Sequence, residues 1–319
     1  MRDEAEVGVE EELFFVDEET LEVAPGFSRV VGEGDERVKA ELFESLVELA
    51  TPALSDASAV LEELRRMRAA IAERAAAHGL RIYAAGAHPL ARGADQVIVP
   101  RSRYRKLAKS FGDAVWQQLV CGLHVHVSVP DEDTALRAFE WVVPWLPTLL
   151  ALSANSPFAE GADTGFRSER AQRLLLLPTG GTPPVLRGWD DWRAAPDRHF
   201  DAWPRPEYGT LEVRVMDMQT DVRRTAGFAA IVRALLLTVP GTVKTPYDRE
   251  LYAIRRDAAS RIPPDPEEIE ALASVVDVAL HGEERELAHL VLEGRPEAER
   301  QLELGIVATL EDMAARTVR

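Results

Sequence analysis

Residues 119–128 read Leu119-Val120-Cys121-Gly122-Leu123-His124-Val125-His126-Val127-Ser128, and this stretch narrows the fold more than any other. Its second half alternates apolar with polar side chains. Along a strand, side chains point to opposite faces with period two. His124, His126 and Ser128 therefore share one face, and Leu123, Val125 and Val127 share the other. Two readings are open on this segment alone. It is a half-exposed strand with two surface histidines, or the floor of a metal or phosphate site.

Charge and cysteine usage remove several function classes. The 319 residues carry a formal net charge of −17, opposite to the basic footprint that nucleic-acid binding requires. A local arginine cluster or a divalent ion can still reverse the sign inside a cleft. Lysine occurs only at Lys39, Lys106, Lys109 and Lys244. Cationic recognition thus falls mostly to arginine, whose planar fork suits carboxylates and phosphates. Cys121 is the only cysteine, which excludes internal disulfides and cysteine zinc clusters and fits a reducing cytoplasm. No apolar run has the length of a membrane span, and the acidic N-terminus lacks the apolar core of an export signal. With 46% hydrophobic residues the chain is expected to be globular; homo-oligomerisation is left open.

Alternation and capping signals lay out the elements. Glu6 to Asp17 is a strand with Gly8, Glu10 and Glu12 on one face and Val9, Glu11 and Leu13 on the other. Val38 to Thr51 fits either a helix or a strand; as a strand it sets Glu48 beside Leu46 and Ala50. Ser55 to His78 is an amphipathic helix, capped by Ser55 or Asp56 and ended by Gly79, with Arg65, Arg66, Arg68 and Arg74 on its polar side. Leu80 to Gly86 is a strand, and Tyr104 to Gln118 a helix. Asp133 to Leu152 is a helix that Pro144 and Pro147 kink or break; its Trp141 and Trp145 suit either core or interface. Residues 185–207 read as irregular. Thr210 to Asp217 is a strand with Glu212, Arg214 and Met216 on one face, followed by a helix to about Val239. After Pro240 the chain turns charged and helical. The change of character after Pro240 divides the chain into a unit over 1–246, the candidate catalytic unit on the resemblance described below, and a helical segment over 247–319 expected to pack on the same domain.

Collected together, the strands place Glu10 with Glu12, His124 with His126, and Glu212 with Arg214 on single faces, and Glu48 is a fourth contributor. Crowded carboxylates repel one another unless a cation intervenes. Oxygen ligands suit Mg²⁺ or Mn²⁺, and an imidazole among them is compatible with both. Each pattern alone is ordinary surface; a Glu-x-Arg strand is usually a cross-strand ion pair. Cys121 is assigned to packing. A hydrolase using His124 and His126 is a rival, without the further His or Asp arrangement such sites need.

Six blocks in order resemble the bacterial glutamate–cysteine ligase type 2 family, carboxylate–amine ligases of the glutamine synthetase superfamily. They are Gly8-Val9-Glu10-Glu11-Glu12-Leu13-Phe14-Phe15-Val16-Asp17, Glu44 to Pro52, Ala85-Gly86-Ala87-His88-Pro89, Cys121 to Val127, Leu152 to Phe158, and Thr210 to Val215. The resemblance spans about residues 7–240. It tips Val38–Thr51 to strand. It implies an α+β fold, a saddle-shaped, largely antiparallel sheet with flanking helices forming a cleft, like the glutamine synthetase and guanidino kinase catalytic domains. It implies ATP-dependent phosphorylation of a glutamate-like side-chain carboxylate, then attack by an amine, with ATP and Mg²⁺ or Mn²⁺ as cofactors and small acids and amines as partners. Motif by motif, it implies metal roles for Glu10, Glu12, Glu48, His124 and Glu212. Glu41 is a further ligand candidate, although simple alternation sets it opposite Glu48. Arg214, with Glu212, would serve the transferring phosphoryl group. Asn155, Arg167 and Arg170 would contact nucleotide or substrate, and His126 substrate or phosphate. Residues 254–260 and 172–177 depart from the family pattern, and the C-terminal part is short. A non-catalytic or regulatory homologue that binds nucleotide or an amino acid is therefore the alternative expectation.

Overall fold

The computed structural model describes residues 5–31, 36–177, 179–195, 199–242 and 247–318. Seven strands form its main sheet: β1 (Val7–Asp17), β2 (Val38–Ala40), β3 (Leu46–Ala50), β4 (Leu80–Tyr83), β5 (Gly122–Ser128), β6 (Ala202–Arg205) and β7 (Thr210–Asp217). Six lie in the order β6-β7-β5-β1-β3-β2, and β4 pairs with β1. Every pairing in this sheet is antiparallel. β1 is long enough to serve two neighbours on one side, β5 along residues 7–11 and β4 along 14–17. The sheet is open, and the α+β, largely antiparallel expectation holds.

Alternation explains which face is covered. Val7, Val9, Leu123, Val125, Val127, Leu211 and Val213 are buried in one cluster. The helices that cover them are α1 (Ala57–Ala76), α3 (Glu132–Val142), α4 (Leu146–Ser153) and α6 (Val222–Leu237). Between α1 and α3 comes α2 (Ser102–Phe111), which ends at Gly112, whose φ of 54° reverses the chain. Asp56 caps α1 by accepting from the Ala59 amide. The run Glu132–Ser153 is apolar and long enough by composition to cross a membrane, but 67% of its apolar window is buried in the core. Pro144 and Pro147 break it into α3 and α4, joined by a 3₁₀ turn. Trp141 packs against that core and donates from its indole to the Leu235 carbonyl.

The later helices are α5 (Glu169–Leu174), α7 (Arg249–Ala259), α8 (Pro266–Ala279), α9 (Gly282–Leu292) and α10 (Glu297–Arg316). α8 and α9 pack on α6, α7 packs on α4, and α10 reaches β4. Gly305, at φ 75°, interrupts α10.

Four local readings change. The stretch 38–51 is a hairpin of two strands, in which Lys39 faces Glu48 across the register. Residues 185–207 contain β6; its Pro204 is tolerated because β6 is an edge strand. In β7 a bulge sets Arg214 and Val215 opposite His124, since Val213 pairs with Val125 and Met216 with Leu123. That extra residue turns Met216 away from Glu212 and into the apolar core. Arg68 leaves the polar side of α1 and is buried, its guanidinium paired with the equally buried Glu11 of β1.

Candidate active site

The second face of the sheet carries a staircase of charged pairs. Glu212 stands directly across from His126, Glu10 from His124, and Glu12 from Glu48. Each step moves one strand over, from β7 through β5 and β1 to β3. Directly opposed side chains in an antiparallel pair lie about 5 Å apart at Cβ, so register alone forces these groups together.

Two groups that could hold a metal ion result. Glu10, His126 and Glu212 bring donor atoms within 4.8 Å of one another, and so do Glu12, Glu41 and Glu48. His124 stands between them. Its Nδ1 is 3.3 Å from Glu10 and 3.9 Å from Glu212, and its Nε2 is 3.8 Å from Glu12. Glu41 sits in the turn after β2, outside the alternation of β3, which removes the objection that alternation raised. His126, expected beside substrate or phosphate, falls in the first of these groups. Its Nδ1 meets Thr210 Oγ1 at 3.1 Å, while its buried Nε2 lacks a hydrogen-bond partner and lies 3.7 Å from Glu10.

The electrostatics fit a site that wants cations. Burial, then the charges of Glu12 and Glu48, push the Glu41 carboxyl well above its usual range. Burial alone would also raise Glu10, but the hydrogen bond from His124 and the charge of both imidazoles hold it far below. Burial of Glu212 is likewise outweighed by Arg214, His126, Arg205 and His124, so it stays ionised. Arg214 grips Glu212 through Nε and Nη2 at 2.8 and 2.7 Å, and Arg205 from β6 binds the other carboxylate oxygen.

Part of this cluster borders a cleft of about 240 Å³. Glu10, Glu12, Glu41, Glu48, His124, Arg170 and Arg214 line it, with Arg103, Leu107 and Phe111 of α2, Gln118 and His199. Arg170 is buried. It donates to the carbonyls of Arg214 and Val215, and its Nε has no hydrogen-bond partner. Gly122 makes room for it, because a Cβ there would meet the Arg170 Nη2 at 2.2 Å.

Asn155 and Arg167 lie outside the lining. The Asn155 amide donates to the Met218 carbonyl and to Thr220, and accepts from Gln301. Arg167 pairs with Glu299 at 2.6 Å and with the Arg261 carbonyl. Both side chains tie the sheet margin to later helices, and the structure does not bring them to the cleft with the other candidates. Sequence reasoning missed Lys39, Arg205, Arg103 and His199. Lys39 had the clearest signal, because it stands two residues before Glu41 on an alternating stretch. Arg205 precedes the turn Pro206-Glu207-Tyr208-Gly209, a usual mark of a hairpin.

Comparison with known proteins sets the class and then the family. The fold is similar to a glutamate–cysteine ligase from Francisella tularensis solved in complex with AMP (TM-score 0.71, 14% identity, 99% of this chain and 88% of that one). It is also similar to a bifunctional glutathione synthetase from Pasteurella multocida (TM-score 0.70, 14% identity), of which the chain spans 52%. The architecture is thus that of the glutamate–cysteine ligase class of folds. Residues 6–262 match the model of glutamate-cysteine ligase family 2, and the chain belongs to that family. Two relatives from Rubrobacter xylanophilus bear the names "Putative glutamate--cysteine ligase 2-3" and "2-1". The first is 37% identical over 247 residues, 72% of this chain and 68% of the relative. The second is 34% identical over 275 residues, 80% of this chain and 73% of the relative.

Proposed function

We propose that the chain is an ATP- and divalent-metal-dependent carboxylate–amine ligase that activates a glutamate-like side-chain carboxylate. The observation that carries this reading is the pair of groups able to hold a metal ion, Glu10–His126–Glu212 and Glu12–Glu41–Glu48, set side by side on one sheet face and the turn that carries Glu41, beside Arg214. The residues fit divalent ions such as Mg²⁺ or Mn²⁺. A buried imidazole nitrogen lacks a hydrogen-bond partner in one set, and in the other burial, with the charges of Glu12 and Glu48, pushes the Glu41 carboxyl upward, a strain that a cation would relieve. When bound, such ions neutralise phosphate charge as it moves during transfer.

A carboxylate is a poor electrophile until one oxygen becomes a leaving group. In the proposed sequence the substrate carboxylate oxygen attacks the γ-phosphorus of ATP, the bond to the β-phosphate oxygen breaks, and ADP departs. An amine nitrogen then attacks the acyl carbon, inorganic phosphate leaves, and a proton is released as the amide forms. Arg214, locked against Glu212, offers a fixed positive charge to the transferring phosphoryl group. Arg170, held by two carbonyls with its Nε unpartnered, suits an oxygen of the substrate or the phosphate.

The alternative is a homologue that binds nucleotide or an amino acid without turnover. The 254–260 segment gives it its support. Arg255 is bound to Glu268, and Arg256 to the buried Asp201 at 2.6 Å, so both side chains serve packing. Small acids and amines are the partners of the main reading, and the cytoplasm its setting. Purified protein with Mg·ATP and a panel of amino acids should release ADP in an amine-dependent way. Mg·ATP binding without release across the panel would transfer support to the alternative.

A further inference from the structure

Among the described residues, one lysine reaches the carboxylate staircase, and it is bound on both sides. Lys39 Nζ lies 2.8 Å from Glu48 and 3.1 Å from Glu10. Glu10 belongs to one ligand set and Glu48 to the other, so a single ammonium spans the two. An edge-strand lysine ordinarily points to solvent and blunts aggregation. This one faces the cluster while keeping about half of its side chain exposed, at 45%.

The choice of lysine is informative. Of the 37 basic residues only four are lysines, and the rest are arginines. Around the cluster the neighbouring cations are arginines held by more than one bond or shared between them: Arg170 bonds two carbonyls, Arg214 bonds one Glu212 oxygen through two nitrogens, and Arg205 bonds the other Glu212 oxygen. A guanidinium fork binds a carboxylate in two places, whereas an ammonium is a point charge on a flexible stem that reaches solvent easily. The residue between the ligand sets is therefore the one suited to leave.

We infer that Lys39 is a resident counter-cation that holds Glu10 and Glu48 together until divalent metal displaces it, so that it sets the metal affinity of the site. This rests on the ligase reading only through the metal sets. Without metal, the ammonium offsets repulsion among the carboxylates. With metal, both carboxylates are claimed by the ion and the lysine side chain turns to solvent.

Mn²⁺ titration by calorimetry tests the inference, alongside thermal unfolding with Mn²⁺ or with EDTA. Lys39→Gln removes the competitor. Two part-exposed pairs together correspond to about a tenfold change in binding, so Mn²⁺ should bind about tenfold more tightly than to the unaltered protein. In EDTA the variant should melt lower, and Mn²⁺ should raise its melting temperature by more. If the variant is unfolded in EDTA, its recovery on adding Mn²⁺, followed by circular dichroism, supports the inference, and failure to recover opposes it. Lys39→Arg keeps the charge but grips in two places, so it should bind Mn²⁺ no more tightly than the unaltered protein. Unchanged or weaker binding by Lys39→Gln, or tighter binding by Lys39→Arg, overturns the role of Lys39 and leaves the metal sets standing. Absence of Mn²⁺ binding by the unaltered protein overturns both.

Discussion

Replacing Arg68 with methionine should cost the fold more than any single substitution lining the cleft. All five of its N–H donors are used. Nε and Nη2 bind the Glu11 carboxylate, Nη1 binds the Thr220 and Thr317 carbonyls at 2.8 and 2.9 Å, and Nη2 also binds the Gln219 carbonyl at 2.9 Å. Glu11 is fully buried and accepts one more bond, from the Thr225 hydroxyl. Breaking a buried pair from one side costs about 3–5 kcal/mol, because the remaining charge stays out of water. Three carbonyls losing their donors add about 1 kcal/mol each. The sum approaches the whole stability of an ordinary domain, about 5–15 kcal/mol. Urea unfolding followed by circular dichroism should show Arg68→Met largely unfolded, or with its midpoint shifted far down. The double variant Glu11→Gln with Arg68→Met should be more stable than Arg68→Met alone, because no buried charge remains. A loss below about 1 kcal/mol, or a double variant no better than the single, would refute the reasoning.

Further outcomes follow from other parts of the molecule. Glu12→Gln should lower metal-dependent ATP turnover at least a hundredfold with little change in melting temperature. Glu212→Gln should abolish turnover and also lower stability, because Arg205 and Arg214 lose their shared charge; near-normal rates in both would sink the site assignment. Gly122→Ala should displace the Arg170 guanidinium and reduce kcat/KM while the protein stays folded by circular dichroism. Cys121→Ser should keep its turnover per folded molecule, since burial pushes that thiol up and leaves it inert, and should lose about 1–3 kcal/mol from the buried hydroxyl. His88 is buried beside Phe14 and Tyr83, and burial lowers its pKa to about 4. A folded value below the unfolded one means that stability is full above about pH 6.5 and falls as the pH drops toward 4, by up to about 3 kcal/mol. His88→Gln should flatten that slope in denaturation measured across the range.

Much of the fold is legible in the sequence because the strands alternate cleanly and most helices carry their caps. The core face of β5 and the cleavage of the 132–153 run by its prolines follow from spacing alone. Other features depend on partners distant in sequence. Arg68 looks like one more surface arginine of α1 until Glu11, 57 residues away, is seen behind it. The β7 bulge leaves no mark in an alternating sequence, so spacing sets Met216 on the wrong face. Among the site residues, strand alternation reaches Glu10, Glu12, His124 and Glu212. Family resemblance is needed to fix Glu48 on a strand and to bring in Glu41. Asn155 and Arg167 carry suitable chemistry, yet the loop after α4 and the approach to α5 direct them toward later helices. Lys39 escapes notice because a single lysine near glutamates is the commonest kind of surface pair.

The staircase of opposed charges also polices how the chain assembles. On β1, β3, β5 and β7 the ionisable face backs directly onto the apolar one. A slip of one residue in any pairing would exchange the two faces. Glu10, Glu12, His124, His126 or Glu212 would then enter the helix-covered core without partners, a cost of several kcal/mol per charge. A misregistered sheet is thus penalised by the same groups that the proposed site would use to hold cations, so the charged face helps to set its own register.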